Sequence, residues 1–295
     1  VDDNFIGNRK NVKHLLHGIT EWQQSNGYPF RLSTEASIDL AWDRDLVDLM
    51  VSAGFGMVFV GIETPVAESL ASVGKRQNLK QNMVDAVHLL QRRGIEVTGG
   101  FIVGFDSDPE DIFDRQIDFI QELGIPTAMV GTLMALPNTK LWNRLEREGR
   151  ILSRSSGDNT HKSELNFVTK MPAPTLIEGY RRILSRIYQP RRYFQRCLRL
   201  LHRLPNRSVG DGKIQIRKRE ITAVIRSLTR QGWSGYGLWY WLYLIRAIVS
   251  RPGQLVTIFT LAIQGHHFFV ITRKMLHGPE VHGSKAKNPT QKRAY

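Results

Sequence analysis

Four short stretches combine acids, hydroxyls and glycines where a buried apolar run ends: Asp2-Asp3-Asn4, Ser33-Thr34-Glu35-Ala36-Ser37, Gly61-Ile62-Glu63-Thr64-Pro65 and Gly100-Phe101-Ile102-Val103-Gly104-Phe105-Asp106. A carboxylate in such a place can accept from both hydroxyls of a ribose or hold an ammonium group. Glycines there let a flat ring such as adenine approach the backbone. Each stretch also has a plainer reading. Gly61 and Gly100 serve tight turns, Asp2 and Asp3 cap a helix, and Asp106, Ser107 and Asp108 cap a helix beginning at Pro109. Chemistry gains ground because four clusters fall at equivalent places in successive units.

The elements that would position them alternate. Val1–Phe5 reads as the end of a strand and Arg9–Ser25 as a helix, with Val12, Leu15, Leu16 and Ile19 at helical spacing before Asn26-Gly27. Phe30–Ser37 reads as a strand, Asp43–Ala53 as a helix stopped by Gly54, and Gly56–Glu63 as a buried strand. Leu79–Arg93 is a helix ended by Gly94, and Ile95–Phe105 a strand. Pro109–Leu123 is a helix with Gly124 behind it; Thr127–Leu136 is the last strand and Thr139–Glu148 the last helix of the series. Strand followed by helix, repeated without hairpin signals, predicts parallel βα units in a barrel-like or doubly wound sheet. Their continuous apolar runs expect cover on both faces. Function then belongs at the C-terminal strand ends.

The second half differs in kind. Thr175–Tyr188, Arg191–Leu204 and Gln215–Arg230 read as basic amphipathic helices, with Arg207–Lys213 as a linker. Tyr236–Val249 and Pro252–Leu276 are rich in aromatic and aliphatic residues, and Gly278–Tyr295 is a polar tail expected to be disordered. Residues 1–150 carry 15 Lys+Arg against 21 Asp+Glu, a net of −6; residues 151–295 carry 26 against 6, a net of +20. This divides the chain into 1–150, 151–277 and the tail 278–295. The basic half could face anionic lipid, nucleic acid or the acidic half of its own chain. Gly253–Thr272 approaches spanning length, but Gln264, Gly265, His266 and His267 interrupt it, which favours a core or surface-lying helix over a membrane span. Trp233, Trp239 and Trp241 with Tyr236, Tyr240 and Tyr243 suit core packing first, and an apolar entrance or membrane interface second.

The one cysteine, Cys197, excludes an internal disulfide and fits a reducing compartment. It also excludes a self-contained cysteine-ligated iron–sulfur cluster, which needs three or four thiolates. The adjacent His266 and His267 point apart on a helix and lack the spacing of a metal pair. The chain starts at Val1 in mid-pattern, without an initiator Met or signal peptide, so it is expected to be cut from something longer.

Taken together, the four strand-end stretches resemble the radical SAM superfamily. More narrowly they resemble its cobalamin-binding branch that carries a C-terminal helical domain of the DUF4070 type. Ala135-Leu136-Pro137-Asn138-Thr139, Leu145-Glu146-Arg147-Glu148-Gly149, Ser156-Gly157-Asp158-Asn159 and Leu165-Asn166-Phe167 extend the likeness to about residue 275. The resemblance implies an α/β fold: the last four to five βα units of an incomplete parallel barrel, followed by a mostly α-helical domain. It implies S-adenosylmethionine (SAM), a [4Fe–4S] cluster and cobalamin as cofactors, and methyl transfer to an unactivated carbon through a 5′-deoxyadenosyl radical.

Residue by residue, the resemblance carries SAM contacts onto Glu35, Glu63 and Arg76 (or Lys75), and an adenine-binding GxIxG onto Gly100, Ile102 and Gly104. Leu136-Pro137 falls near the adenine. Ser107 stands where the motif often ends in Glu, which puts that position in doubt. The CxxxCxxC motif, a glycine-glycine-glutamate stretch and the cobalamin domain are expected upstream of Val1, and these 295 residues alone are expected to be inactive. Expected partners are a small-molecule or lipid-like substrate, an anionic membrane surface and a reductant such as flavodoxin or ferredoxin, with nucleic acid not expected. The expected location is cytoplasmic, with association at the membrane surface. The competing readings are a non-catalytic SAM-binding truncation and a lipid-surface module.

Overall fold

A computed structural model describes residues 4–72, 82–154, 165–206 and 218–277. Four parallel strands form one sheet: β1 Leu32–Glu35, β2 Phe55–Glu63, β3 Glu96–Val103 and β4 Ala128–Thr132, in the order β1-β2-β3-β4. Between them run α2 (Arg44–Ser52), α3 (Ala67–Ser72), α4 (Met83–Arg92) and α5 (Ile112–Leu123). Helix α1 (Arg9–Ser25) precedes β1, and α6 (Lys140–Arg147) follows β4. The order chooses between the two sheet types left open by the sequence. A doubly wound sheet reverses direction at a switch point, whereas here each new strand joins the same edge, as in a barrel.

Local chemistry explains the boundaries. Asn8, Asp43, Asn82 and Thr139 cap α1, α2, α4 and α6 by accepting from backbone N–H groups of the first turn. Gly124 ends α5 in the left-handed conformation, φ 66°. Two expectations need correction. The strand expected to reach Ser37 stops at Glu35, because Ile38–Trp42 winds into a 3₁₀ turn that buries Ile38, Leu40 and Ala41. The helix expected from Pro109 starts at Ile112, and Asp108 caps no helix: its carboxylate accepts from the N–H groups of Gly104 (2.8 Å) and Phe105 (3.0 Å). The expected linker 207–213 and the tail lie outside the described residues.

The helical part comprises α7 (Ala173–Ile187), α8 (Pro190–Arg203), α9 (Lys218–Gly232), α10 (Gly237–Ser250) and α11 (Leu255–His277). Its core is aromatic: Phe194 stacks on Tyr243 with centroids 4.8 Å apart, and Tyr188 on Phe268 at 4.7 Å. The buried phenols are satisfied. Tyr193 donates to Leu261 O (2.8 Å) and Tyr243 to Ile258 O (3.0 Å). Gly265 lets α11 lie on the Tyr193 ring, since a Cβ there would fall within 2.4 Å of it. Cys197 is fully buried in this core, where desolvation pushes its thiol up, so it is a packing residue.

Arginines of α8 attach this part to the sheet at the end opposite the candidate site. Arg196 Nε donates to Ile125 O (2.9 Å) and Nη1 to Gln121 Oε1 (3.0 Å). Arg199 reaches Gln121 O at 2.5 Å, and Arg203 reaches Leu123 O (3.2 Å) and Gln91 Oε1 (3.1 Å). The three cations thus meet the free carbonyls at the C-terminus of α5, where the helix dipole is negative. Of the partners open to the basic half, the first half of its own chain is the one that Arg196, Arg199 and Arg203 meet. Tyr188 closes the outer edge of β4: its hydroxyl donates to Ala128 O (2.7 Å) and accepts from Ala128 N (3.2 Å).

Candidate functional site

Among the described residues the sheet has one covered and one open face. Val58, Val60, Ile62, Val97, Phe101, Val103, Ala128 and Val130 are buried on the side where α2 and α4 pack. Alternation places Ser33 and Glu35 of β1, Met57, Phe59 and Gly61 of β2, Gly100 and Ile102 of β3, and Met129 and Gly131 of β4 on the other face, where all but the buried Gly131 are half-buried or exposed. The register sets Glu35 beside Phe59, Gly61 beside Gly100, and Ile102 beside Gly131. The result is a flat glycine floor with an exposed carboxylate at one margin and apolar side chains around it.

Gly100 has a specific steric reason to be glycine: an added Cβ would stand 2.9 Å from the Phe59 ring. Toward the N-terminal strand ends the same face closes over Glu96 and Thr98, both buried. Burial pushes the Glu96 carboxyl above its usual range, only partly countered by Arg31.

The C-terminal rim is built by turns. Glu63 ends β2 with φ 71°, a left-handed backbone unusual for a residue with a side chain. The register slips between Gly61 and Glu63, so Glu63 stands opposite Phe101 rather than Ile102. Gly104, φ 102°, packs against Leu176 of α7, and its N–H is held by Asp108. Ser69 Oγ bonds both Ser107 Oγ and Asp108 Oδ1 at 2.9 Å, so Ser107 helps tie α3 to this turn. Burial pushes the Asp108 carboxyl up, against the hydrogen bonds it accepts. Asp106 receives a two-pronged pair from Arg150 (2.6 and 2.9 Å) and one bond from Arg144 (3.1 Å), and Arg150 holds its carboxyl below the usual range.

Asn4 accepts from Ser37 N (3.1 Å), and Phe5 N donates to Glu35 O (3.0 Å), so the first and second clusters do meet. Glu35, Gly100 and Ile102 therefore share the open face, whereas Glu63 and Gly104 lie in the rim turns above it. Arg76, Lys75, Asp2 and Asp3 lie outside the described residues.

Sequence reasoning missed the positioning role of Asn166. Its amide donates to Ala135 O (2.7 Å) and accepts from Ala135 N (3.0 Å), fixing the Ala135–Asn138 stretch from 31 residues away. It also missed the Arg144–Arg150 pairing with Asp106. Neither has a local sequence signal beyond an Asp and two Arg at helix-end spacing. Among the described residues no group of three His, Cys, Asp or Glu could hold a metal ion. His266 instead bonds Tyr236 (2.7 Å), and burial lowers its pKa.

A parallel, singly ordered βα sheet with an open glycine-lined face and a helical extension defines a barrel-type α/β protein. Residues 139–280 match the domain of unknown function DUF4070. The chain is 43% identical over 204 residues to an uncharacterized methyltransferase of Synechocystis, covering 69% of this chain and 38% of that protein. It is 31% identical over 291 residues to the hopanoid C-2 methylase of Rhodopseudomonas palustris, covering 94% of this chain and 52% of that protein. Similarity to the bacteriochlorophyllide d C-12(1)-methyltransferase of Chlorobaculum tepidum is 24% over 189 residues, covering 64% of this chain and 40% of that protein. The chain spans about half, or less, of the length of these relatives. It belongs to the DUF4070-bearing branch of the radical SAM superfamily.

Proposed function

We propose that the open sheet face is the SAM-binding wall of a cobalamin-dependent radical SAM methyltransferase acting on an unactivated carbon. The observation that carries this reading is the alignment of Gly61 and Gly100 across β2 and β3 with Glu35 exposed on the adjoining strand β1, on the same face. A floor without side chains admits a flat adenine, with Phe59 and Ile102 as apolar contacts above it. The exposed Glu35 carboxylate suits an ammonium group or ribose hydroxyls. SAM held there by Glu35 and the glycine floor would supply the chemistry that activates a substrate carbon, its electron coming from a reductant outside these residues.

This chain's own residues bind and orient. Asp108 and Ser69 fix the Gly104 turn, and Asn166 fixes Ala135–Asn138, so the wall is held by side chains that need not move. The residues present do not fit a cluster: Cys197 is a lone thiol buried in the helical core.

The methylated molecule is an apolar one, in keeping with Met57, Phe59, Ile102 and Met129 on the open face and with the lipid named for the Rhodopseudomonas relative. The test is SAM binding by equilibrium dialysis to the complete protein carrying Glu35→Gln or Gly100→Val. Each substitution is expected to weaken SAM binding about tenfold or more, Glu35→Gln through the loss of one charge-assisted hydrogen bond and Gly100→Val by placing a side chain on the glycine floor. Unaltered affinity in both variants would overturn the assignment of this face.

A further inference from the structure

The region 218–277 leaves an unusual surface uncovered. Helix α10 exposes Leu238, Trp241, Ile245 and Val249, spaced i, i+3, i+7 and i+11, a continuous stripe along one side. Val249 is 78% exposed and Ile245 60%. In the turn between α9 and α10, Trp233 is 90% exposed. Helix α9 packs on α10 through Ser227, whose hydroxyl bonds the Tyr240 hydroxyl and accepts from the Gln231 amide. Its exposed arc runs from Ile221 and Ile225 at one margin to Arg219, Arg226 and Arg230 at the other. Those arginines border a cavity of about 470 Å³ between α9 and α11, closed by Ile263, His266 and Gln231, whose buried Oε1 has no partner.

We propose that α9, α10 and the turn between them dock on an anionic lipid bilayer. Trp233 and the Leu238–Val249 stripe enter the interface, and the Arg219–Arg226–Arg230 row receives lipid phosphates at the mouth of the α9–α11 cavity. Charge selects the occupant. Residues 218–277 contain eight Lys+Arg and a single acid, Glu220, which is paired with Arg219. Two such surfaces repel each other, which opposes a second copy as the partner. A neutral protein surface would leave the arginine row unmatched, whereas anionic lipid matches both the apolar stripe and the cations. A tryptophan at the boundary between apolar and charged surface suits the headgroup level of a bilayer. Helix α11 is long and apolar enough to cross a membrane by length and composition. Here it is held along one side by the helical core, with Ile258, Leu261 and Ala262 buried, so the docking surface does not depend on its crossing.

The proposal stands apart from methyl transfer, because binding is read without SAM or substrate. The complete protein is sedimented with vesicles of phosphatidylcholine alone and of phosphatidylcholine mixed with phosphatidylglycerol. Binding is expected only with phosphatidylglycerol, and to fall as salt rises. W233A/I245E is expected to bind at least tenfold less, and R226Q/R230Q about fivefold less for each charge removed. Both pairs are at the surface, so the circular dichroism spectrum and melting curve should match those of the parent. Trp22→Ala, at an exposed aromatic on α1, should bind as the parent does. Equal binding to both vesicles, unchanged binding by the two double variants, or loss of binding by Trp22→Ala would overturn the proposal. So would concentration-dependent self-association abolished by W233A/I245E, which would assign the stripe to a second copy.

Discussion

Arg196 is the sharpest place to test how the two halves are joined. It is fully buried, with no carboxylate among its hydrogen-bond partners in the described residues. Its charge is met by Ile125 O, by Gln121 Oε1, and by the rings of Tyr193 and Tyr188, whose centroids lie 5.7 and 6.0 Å from its Cζ. Desolvation lowers its pKa, yet a guanidinium remains protonated. Arg196→Ala strands a buried carbonyl and amide oxygen, costing about 1–3 kcal/mol. It also opens a void worth about 2 kcal/mol more. Arg196→Met refills the space and relieves the desolvation of a buried charge, so its loss should stay near the lower bound, about 1–2 kcal/mol. Urea unfolding followed by far-ultraviolet circular dichroism reads both differences, provided the transition remains two-state. If alanine and methionine cost the same, or alanine costs less than about 1 kcal/mol, the joint is not where the hydrogen bonds place it.

Two other perturbations follow from the same contacts. Gly104→Ala places a Cβ at φ 102° and 2.9 Å from Leu176 Cδ2, so a loss of about 1–3 kcal/mol is expected in the same unfolding assay; no change would show that the turn relaxes freely. Glu96, whose folded pKa is raised by burial, makes the unfolded state release its proton first. Stability should therefore fall as pH rises from about 4.3 until the folded carboxyl also ionises, and stay lowered above that. Glu96→Gln should remove that slope and be more stable than the parent at neutral pH; an unchanged slope in melting temperature against pH would refute the burial argument.

The sheet was legible because its signals are local. The apolar runs of β2, β3 and β4 and the Gly124 stop after α5 need only neighbouring residues to be read. The 3₁₀ turn Ile38–Trp42 was not, since it falls between the strand expected to end at Ser37 and the helix expected from Asp43, in a stretch with no turn signal of its own. Of the candidate site, Glu35, Gly100 and Ile102 come to one face by simple alternation, a period the sequence displays. The slip at Glu63 and the capture of Gly104 by Asp108 follow from backbone geometry that a residue pattern does not encode. The α8 arginines, in a basic half whose partner the sequence left open, meet backbone carbonyls about 70–80 residues earlier, which have no residue identity to recognise.

The hydroxyl that closes β4 has a consequence in time. Ala128 leaves the ribosome 60 residues before Tyr188, a delay of about 3–12 s at ordinary synthesis rates. For that interval the newest strand presents a bare N–H and C=O to every other nascent chain nearby. A helix encoded in the second half is thus what ends the vulnerable period of the first, and slowing translation between residues 128 and 188 would lengthen it.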